Sequence, residues 1–525
     1  MPKPAKIQKL VHNGVLTPTY EPQGFAIECK GKRIQLTPEQ EEMALAWVRK
    51  LETDYVKDPV FARNFVGDFS KALGLEHEAK IEDFDFSRII QWVEKERSRK
   101  ERMAREEKKA LAEERKKIRE ANKEKYGYAA LNGEAVEIAN YIVEPPSIFM
   151  GRGRHPLRGK WKLRVEYEDI TLNLSKDAPT PKLPDGKMWG GRVFDPTALW
   201  VARWKDKLTD KMKYVWISET ARPRQEREIE KFDSALKLQD NIGKVREYII
   251  RNLGSEDVIR RKVATVSYLI DALKLRVGDE KETDEADTVG ATTLRGAHVK
   301  IDSDGKVSFD FLGKDSVRWI KTAEFPPQVT ENLKSFVKGP RDMIFDGVRS
   351  ELVNSFLNEA MSGLTAKVFR TYHATKIVSD YLSNQQVSSS DPEIRKKSVA
   401  TMANLQAAIE CNHKRSLPKN WQNSMVKKEE KLKALEAKLK ELRDKPQTKS
   451  TAKRMKSLRE KIKTAKLKLE LVRATRNYNL GTSLRSYIDP RVYAIWAKKS
   501  AYDWKQIYPK SLQRKLTWVE EAFQH

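Results

Sequence analysis

Cysteine is nearly absent from this chain: Cys29 and Cys411, far apart, are the only two in 525 residues. A disulfide framework is therefore excluded, and a reducing environment suits the chain. Cys411 and His413 suggest a pair of metal ligands, but no second Cys/His cluster completes a tetrahedral set, so no metal is expected. Long apolar runs are also missing. None approaches the roughly 18 residues that a membrane span needs, so no membrane partner is expected. The first twenty residues lack both the apolar stretch of a signal peptide and the Arg/Ser bias of a transit peptide, which predicts a soluble protein kept inside the cell. Gly153, Gly159 and Lys160 lack P-loop spacing and its Ser/Thr, so neither a nucleotide site nor a cofactor is expected.

Positive charge is present in excess, with 102 Lys and Arg against 75 Asp and Glu, a net +27. Each phosphate neutralised by such a chain releases condensed counterions, which makes nucleic acid the default partner. A ribosomal protein or one drawn to anionic membranes is the plainer reading of charge alone. The length predicts two or three domains, and 39% hydrophobic content is enough to fold them.

Residues 1 to about 220 are rich in turns and aromatics, with Pro145, Pro146, Pro179, Pro181 and Pro184 separating short alternating segments such as Lys162 to Tyr167. Within them, residues 93 to 125 are dense in Glu, Lys and Arg, so any helix there is mostly solvated. From 222 to 420 amphipathic helices prevail, as at Val245 to Leu253 and Val258 to Leu273. One hairpin interrupts them: Val307, Phe309 and Phe311 alternate with polar residues, Gly313-Lys314-Asp315 turns, and Val317 and Trp319 resume the alternation. Lys314 is thereby expected at an exposed tip. Leu432, Leu435, Leu439 and Leu442, then Met455, Leu458, Ile462, Ala465, Leu469 and Val472, give two helices with one apolar stripe each. Pro446 between them predicts an antiparallel helical hairpin. Residues 427–468 hold 17 Lys/Arg and 6 Asp/Glu, a net of 17 − 6 = +11. The last fifty residues regain a globular composition, with Trp496, Trp504 and Trp518 available for a core.

Four basic motifs and a tyrosine stand out in order. They are Leu275-Arg276-Val277-Gly278-Asp279-Glu280-Lys281 with Ala286-Asp287-Thr288-Val289-Gly290, Phe309 to Ser316 around Lys314, Gly363-Leu364-Thr365-Ala366-Lys367-Val368-Phe369-Arg370-Thr371-Tyr372, Cys411 to Arg415 around His413, and Gly481-Thr482-Ser483-Leu484-Arg485-Ser486-Tyr487-Ile488-Asp489-Pro490-Arg491. Reversible breakage of a nucleic-acid strand needs a nucleophile, positive charge at the non-bridging oxygens and an acid for the leaving oxygen. A tyrosine with a pKa near 10 is only on the order of 0.1% ionised at neutral pH, so Tyr487 needs activation, which neighbouring guanidinium groups can supply.

Taken together, these motifs resemble the eukaryotic-type (type IB) DNA topoisomerases over nearly the whole chain. The resemblance implies an α+β multidomain clamp on double-stranded DNA, active as a monomer: a mixed cap at 1–221, a mainly α catalytic core with a β-hairpin at 222–420, an antiparallel helical-hairpin linker at 421–476 and a small α C-terminal segment at 477–525. It makes Tyr487 the nucleophile, Arg276 and Arg370 the clamps on the phosphate, Lys314 the acid and His413 a hydrogen-bond donor. Lys281, Thr288, Asp315, Thr365 and Lys367 would lie along the DNA. In the cap, Glu144-Pro145-Pro146 and Phe149 to Pro156 make Arg152 a minor-groove contact, and Lys213-Tyr214 aligns with a DNA-contacting pair.

Two departures carry consequences. The family's long charged N-terminal tail is missing, which favours a short archaeal-like form in the nucleoid, with the nucleus as the alternative. Ser486 replaces the usual Asn before the nucleophile, which predicts weaker contacts to camptothecin-like inhibitors. A tyrosine recombinase shares the catalytic groups, but the 487 − 413 = 74 positions from His413 to Tyr487 hold the basic hairpin that recombinases usually lack. A non-catalytic DNA clamp would leave the five reactive residues as coincidence.

Overall fold

Aromatic residues spaced four apart organise the start of the chain. A computed structural model describes residues 7–75, 79–184, 186–279, 287–418, 420–446 and 448–521, and the chain divides into two units. The first comprises residues 1–226 and 281–287. After β1 (Leu10–His12) and the antiparallel β2 (Ala26–Cys29) and β3 (Lys32–Gln35) come α1 (Pro38–Val48) and α2 (Pro59–Ala72). Both helices start where local chemistry says they should. Thr37 closes a capping box with Gln40 before Pro38, and Asp58 accepts from the amides of Val60 and Phe61 before Pro59. Phe61, Phe65 and Phe69 fall on one face of α2 and are fully buried. Trp47 of α1 stacks on Phe65 at 4.5 Å. β4 (Phe84–Asp85) and α3 (Ser87–Arg102) complete this cluster.

The charged stretch forms the end of α3 and all of α4 (Arg105–Tyr126), broken where Met103 and Ala104 are extended. No side chain of α4 is buried, the solvated state its composition predicts. A second cluster fills the space between two sheets. One sheet is β1, β5 (Tyr128–Leu131) and β6 (Glu134–Glu137). The other, beyond the β7 (Ser147–Ile148) and β8 (Trp161–Lys162) pair, has the order β10 (Gly191–Val193), β9 (Thr171–Asn173), β11 (Trp200–Lys205), β12 (Met212–Trp216). The alternation at 162–167 does not make the expected strand. Among the described residues of this stretch only Trp161 and Lys162 pair, with Ile148 and Ser147; beyond them Arg164 is held by the Pro18 carbonyl and by Glu42 at 2.6 Å.

The second unit comprises residues 227–280 and 288–525. Helices α5 (Arg222–Asn252) and α6 (Val258–Leu273) carry apolar stripes into its main core, and α6 stops at Lys274, which takes a left-handed conformation (φ 56°). The hairpin is β14 (Val307–Gly313) and β15 (Val317–Ala323), paired from Val307–Ala323 to Gly313–Val317. It is one strand wider than expected, because β13 (Val299–Ile301) adds to β14. Val307, Phe309, Phe311 and Trp319 are buried, so the alternation reads correctly. After α7 (Pro327–Phe336) and α8 (Ser350–Ala360), α9 (Ala366–Ser383) and α10 (Glu393–Glu410) build a second core together with the C-terminal residues Leu484, Ile488, Tyr493, Trp496 and Trp518.

The helical hairpin is α11 (Trp421–Arg443) and α12 (Lys449–Ala474), with Pro446 between them. The leucines of α11 are half-buried and its Met425 buried; in α12 Met455, Ile462 and Leu469 are buried and Leu458, Ala465 and Val472 half-buried. Its two ends are pinned together: Arg415 N–H donates to the Asn477 carbonyl at 2.8 Å and Asn479 N–H to the His413 carbonyl at 2.7 Å. The excursion thus returns the chain to its point of departure. α13 (Leu480–Ser486) follows, then Tyr487, then α14 (Pro490–Ser500), started by the Asp489 cap and Pro490.

Candidate active site

Three segments of the second unit, carrying Arg276, Arg370 and His413, converge on Tyr487. Arg276 follows the end of α6. Its backbone is fixed by residues 291 and 292: Ala291 N–H donates to the Arg276 carbonyl at 2.9 Å and Thr292 N–H to that of Val277 at 2.8 Å. The approach depends on Gly278 (φ 86°) and Gly290, where an added Cβ would lie 2.4 Å from the opposing glycine's Cα. Val289 N–H in turn donates to the Leu312 carbonyl at 2.7 Å, tying this segment to the hairpin.

Arg370 lies in the second turn of α9 and is only 4% exposed. Its guanidinium donates to the carbonyls of Lys274 and, at 3.1 Å, of Cys411, and sits 5.0 Å over the Tyr487 ring. Nε has no partner among the described residues. That is an unsatisfied donor on a buried cation, which costs stability unless an anion arrives. His413 follows the left-handed Asn412 (φ 52°). Its ring stacks against Tyr487 at 5.3 Å, and Arg370 Nη2 lies 3.2 Å from Nε2. Burial, with the charges of Arg370 and Arg276, lowers its pKa to about 3, so the imidazole is neutral.

Burial pushes the Tyr487 phenol up. The charges of Arg370 and Arg276 and hydrogen bonds from both outweigh it, so the phenol ionises below the ordinary 10.0. Burial, and next the like charge of Arg370, lower Arg276. Two cations and a neutral imidazole around a half-buried phenol form a site poised for an anion. Lys314 stands exposed at the hairpin tip and shares one small cavity with Arg276, Arg370 and Asn412. Asp315 beside it has φ 66°.

The remaining expected contacts are less concentrated. Thr288 is half-buried next to Val289. Thr365 is the N-cap of α9 but its side chain makes no capping hydrogen bond, and the next amide, Ala366 N–H, donates to Asn354 at 3.0 Å; Lys367 is exposed in the first turn. The Ser486 carbonyl accepts from Lys231 at 3.3 Å. Lys281 lies outside the described residues. In the first unit, Arg152 is exposed on a loop closed by Phe149–Lys160 and Gly159–Phe149 backbone bonds. Tyr214 is exposed between Trp200 and Trp216, whereas Lys213 takes the opposite face of β12, as neighbours on a strand must.

Sequence reasoning missed several residues that hold this site. Ser483 is fully buried, with Oγ 2.7 Å from His413 Nδ1. Thr375 Oγ1 donates to the Tyr487 carbonyl at 3.3 Å and accepts from Asp489 N–H at 3.0 Å. Asp271 of α6 pairs with His373 of α9 at 2.7 Å and with Arg246 of α5 at 2.7 Å, one turn from the Lys274–Arg370 contact. Ser483 stands within the motif around Tyr487, but nothing there marks it as a partner of His413; Thr375 and Asp271 stand in no local pattern and meet their partners only through the fold.

Comparison with known proteins gives matches along the whole chain. A family model described as eukaryotic DNA topoisomerase I, DNA binding fragment, matches residues 5–217; the catalytic core of the same family matches 220–446; a C-terminal topoisomerase domain matches 459–525. DNA topoisomerase 1 beta of Arabidopsis thaliana is 38% identical over 544 residues, covering 98% of this chain and 59% of the relative. DNA topoisomerase 1 of Candidozyma auris is 40% identical over 441 residues (82% and 58%), and that of Homo sapiens 33% over 551 residues (99% and 71%). The chain thus spans less than two thirds of the plant and fungal relatives. No helix among the described residues is long and apolar enough to cross a membrane.

Proposed function

The chain belongs to the eukaryotic DNA topoisomerase I family, and from that premise we propose that it is a type IB DNA topoisomerase whose nucleophile is Tyr487. The observation that carries the reading is the convergence of Arg276, Arg370 and His413 on that one phenol, with an unpartnered Arg370 Nε beside it.

The chemistry follows from the groups. Tyr487 gives up its phenolic proton to water, Oη attacks a backbone phosphorus, the P–O bond to the 5′ oxygen breaks, and a 3′-phosphotyrosyl bond replaces the phosphodiester. Arg276 and Arg370 meet the charge that builds on the non-bridging oxygens, which is worth most in a site closed to water. Lys314 delivers the proton to the 5′ oxygen, and the hairpin tip gives it the reach. His413 donates to a non-bridging oxygen. The tyrosyl link keeps the energy of the phosphoester, so religation is the same reaction reversed and needs no ATP. While one strand is open, torsional strain rotates the duplex, relaxing supercoils of either sign.

In this reading residues 1–221 close over double-stranded DNA as the cap of a clamp, with Arg152, Lys213 and Tyr214 among its contacts; the match of 5–217 to a DNA binding fragment supports it. Lys281, Thr288, Asp315, Thr365 and Lys367 line the scissile strand, 222–420 is the catalytic core, 421–476 the linker and 477–525 the segment that delivers the nucleophile, all in one monomer. Ser486 weakens the binding of camptothecin-like compounds. The relatives are plant, fungal and animal proteins, which favours the nucleus and gives an archaeal-like, nucleoid-associated form no support. The test is covalent trapping on a DNA duplex nicked close to the cleavage position, followed by mass mapping. The 3′-phosphoryl adduct is expected on the peptide containing Tyr487; an adduct on another residue overturns the assignment.

A further inference from the structure

The site as built gives His413 the wrong proton for its proposed task. A guanidinium only donates, so the 3.2 Å contact of Arg370 Nη2 with His413 Nε2 makes Nε2 the acceptor. The ring's one proton is then on Nδ1, and it is given to Ser483 Oγ at 2.7 Å. In this form the imidazole has nothing on Nε2 to offer a phosphate. To donate there it must carry its proton on Nε2, and the bare Nδ1 then needs a donor of its own, because an unsatisfied buried acceptor is costly. A hydroxyl serves both states without moving its oxygen, since it donates and accepts.

We propose that Ser483 is a positioning residue that lets neutral His413 exchange its ring tautomer, accepting from Nδ1 in the free protein and donating to Nδ1 once a DNA phosphate draws Arg370 away from Nε2. One proton leaves Nδ1 for solvent and one is taken from solvent onto Nε2. The ring stays neutral, and the hydroxyl turns about its Cβ–Oγ bond. The same residue also steers the nucleophile, because its carbonyl accepts from the amides of Tyr487 at 2.9 Å and Ile488 at 3.1 Å. Ser483 thus links the hydrogen-bonding ring to the attacking phenol through one fully buried residue. The inference rests on the function proposed above.

The test is nitrogen NMR of the full chain labelled at histidine, with His413→Gln to assign the signal, first free and then bound to a DNA duplex in the Tyr487→Phe background. The free protein is expected to show the proton on Nδ1 and the DNA complex on Nε2. Ser483→Ala should lose this change and slow single-turnover cleavage about 10- to 100-fold, the scale by which losing the partner that orients a metal-bound imidazole lowers activity. Ser483→Thr, which keeps the hydroxyl, should restore most of the rate. An unchanged Nδ1 proton in the DNA complex, or alanine cleaving within twofold of serine, overturns the proposal. If Ser483→Ala does not fold, the two spectra of serine-containing protein decide alone. Absence of any covalent adduct from the natural chain would overturn the topoisomerase reading instead, and the two failures are read separately.

Discussion

Arg370 is a buried cation whose Nη groups are committed to the Lys274 and Cys411 carbonyls while Nε waits unpartnered. A lysine keeps the charge but loses the planar fork. Arg370→Lys is therefore expected to bind DNA and to cleave about 10²- to 10³-fold more slowly, the cost of removing one oxyanion donor; single-turnover cleavage checks it, and a loss below tenfold would deny Arg370 that role. His413 makes a second residue-scale prediction. Its pKa is depressed to about 3 in the folded protein, so between that value and 6.5 the unfolded chain binds the extra proton. Stability therefore rises with pH across that window and is lost as pH falls, by at most about 1.4 kcal/mol per pH unit from this group. Denaturant unfolding from pH 4 to 6.5 should show a shallower slope for His413→Gln than for the natural chain.

At the scale of elements, what the sequence makes legible is what neighbours in the chain can decide. The leucine and methionine stripes of α11 and α12 and the Val307–Phe311 alternation repeat at the period of their own element; the hairpin strands bury the face they mark, and the helical stripes are buried or half-buried. Lys314 at the tip follows from the same pattern. Pairing between distant segments leaves no such trace. β13 is three residues long and pairs with β14, whereas 162–167 alternates and pairs only at Lys162. Ser483 and His413 are 70 positions apart, and Asp271 and His373 are 102 apart. The five residues proposed to react are legible as an ordered series; the residues that hold them are not. One further element is testable in isolation. Phe65 is fully buried between Trp47 and Phe69, and Phe65→Ala is expected to destabilise the first unit by about 3–5 kcal/mol. A change below 1 kcal/mol in its unfolding would show that the aromatic stack is not its core.

For the whole molecule, charge and chemistry are separable. Residues 427–468 carry +11 of the +27 but none of the reactive groups. Replacing them with a short Gly/Ser loop should flatten the dependence of DNA binding on salt, because fewer counterions are released. Single-turnover cleavage at low salt should persist, since the pairing of 413–415 with 477–479 lies outside the deletion. Loss of that cleavage would assign the hairpin a part in the chemistry.

The central claim, that Tyr487 opens and reseals one strand of duplex DNA with no energy supply beyond the phosphoester itself, is tested most directly by relaxation of supercoiled plasmid in EDTA without ATP, comparing the natural chain with Tyr487→Phe. A ladder of topoisomers from the natural chain and none from the phenylalanine variant is the predicted result. No relaxation by either protein, or equal relaxation by both, would contradict the account.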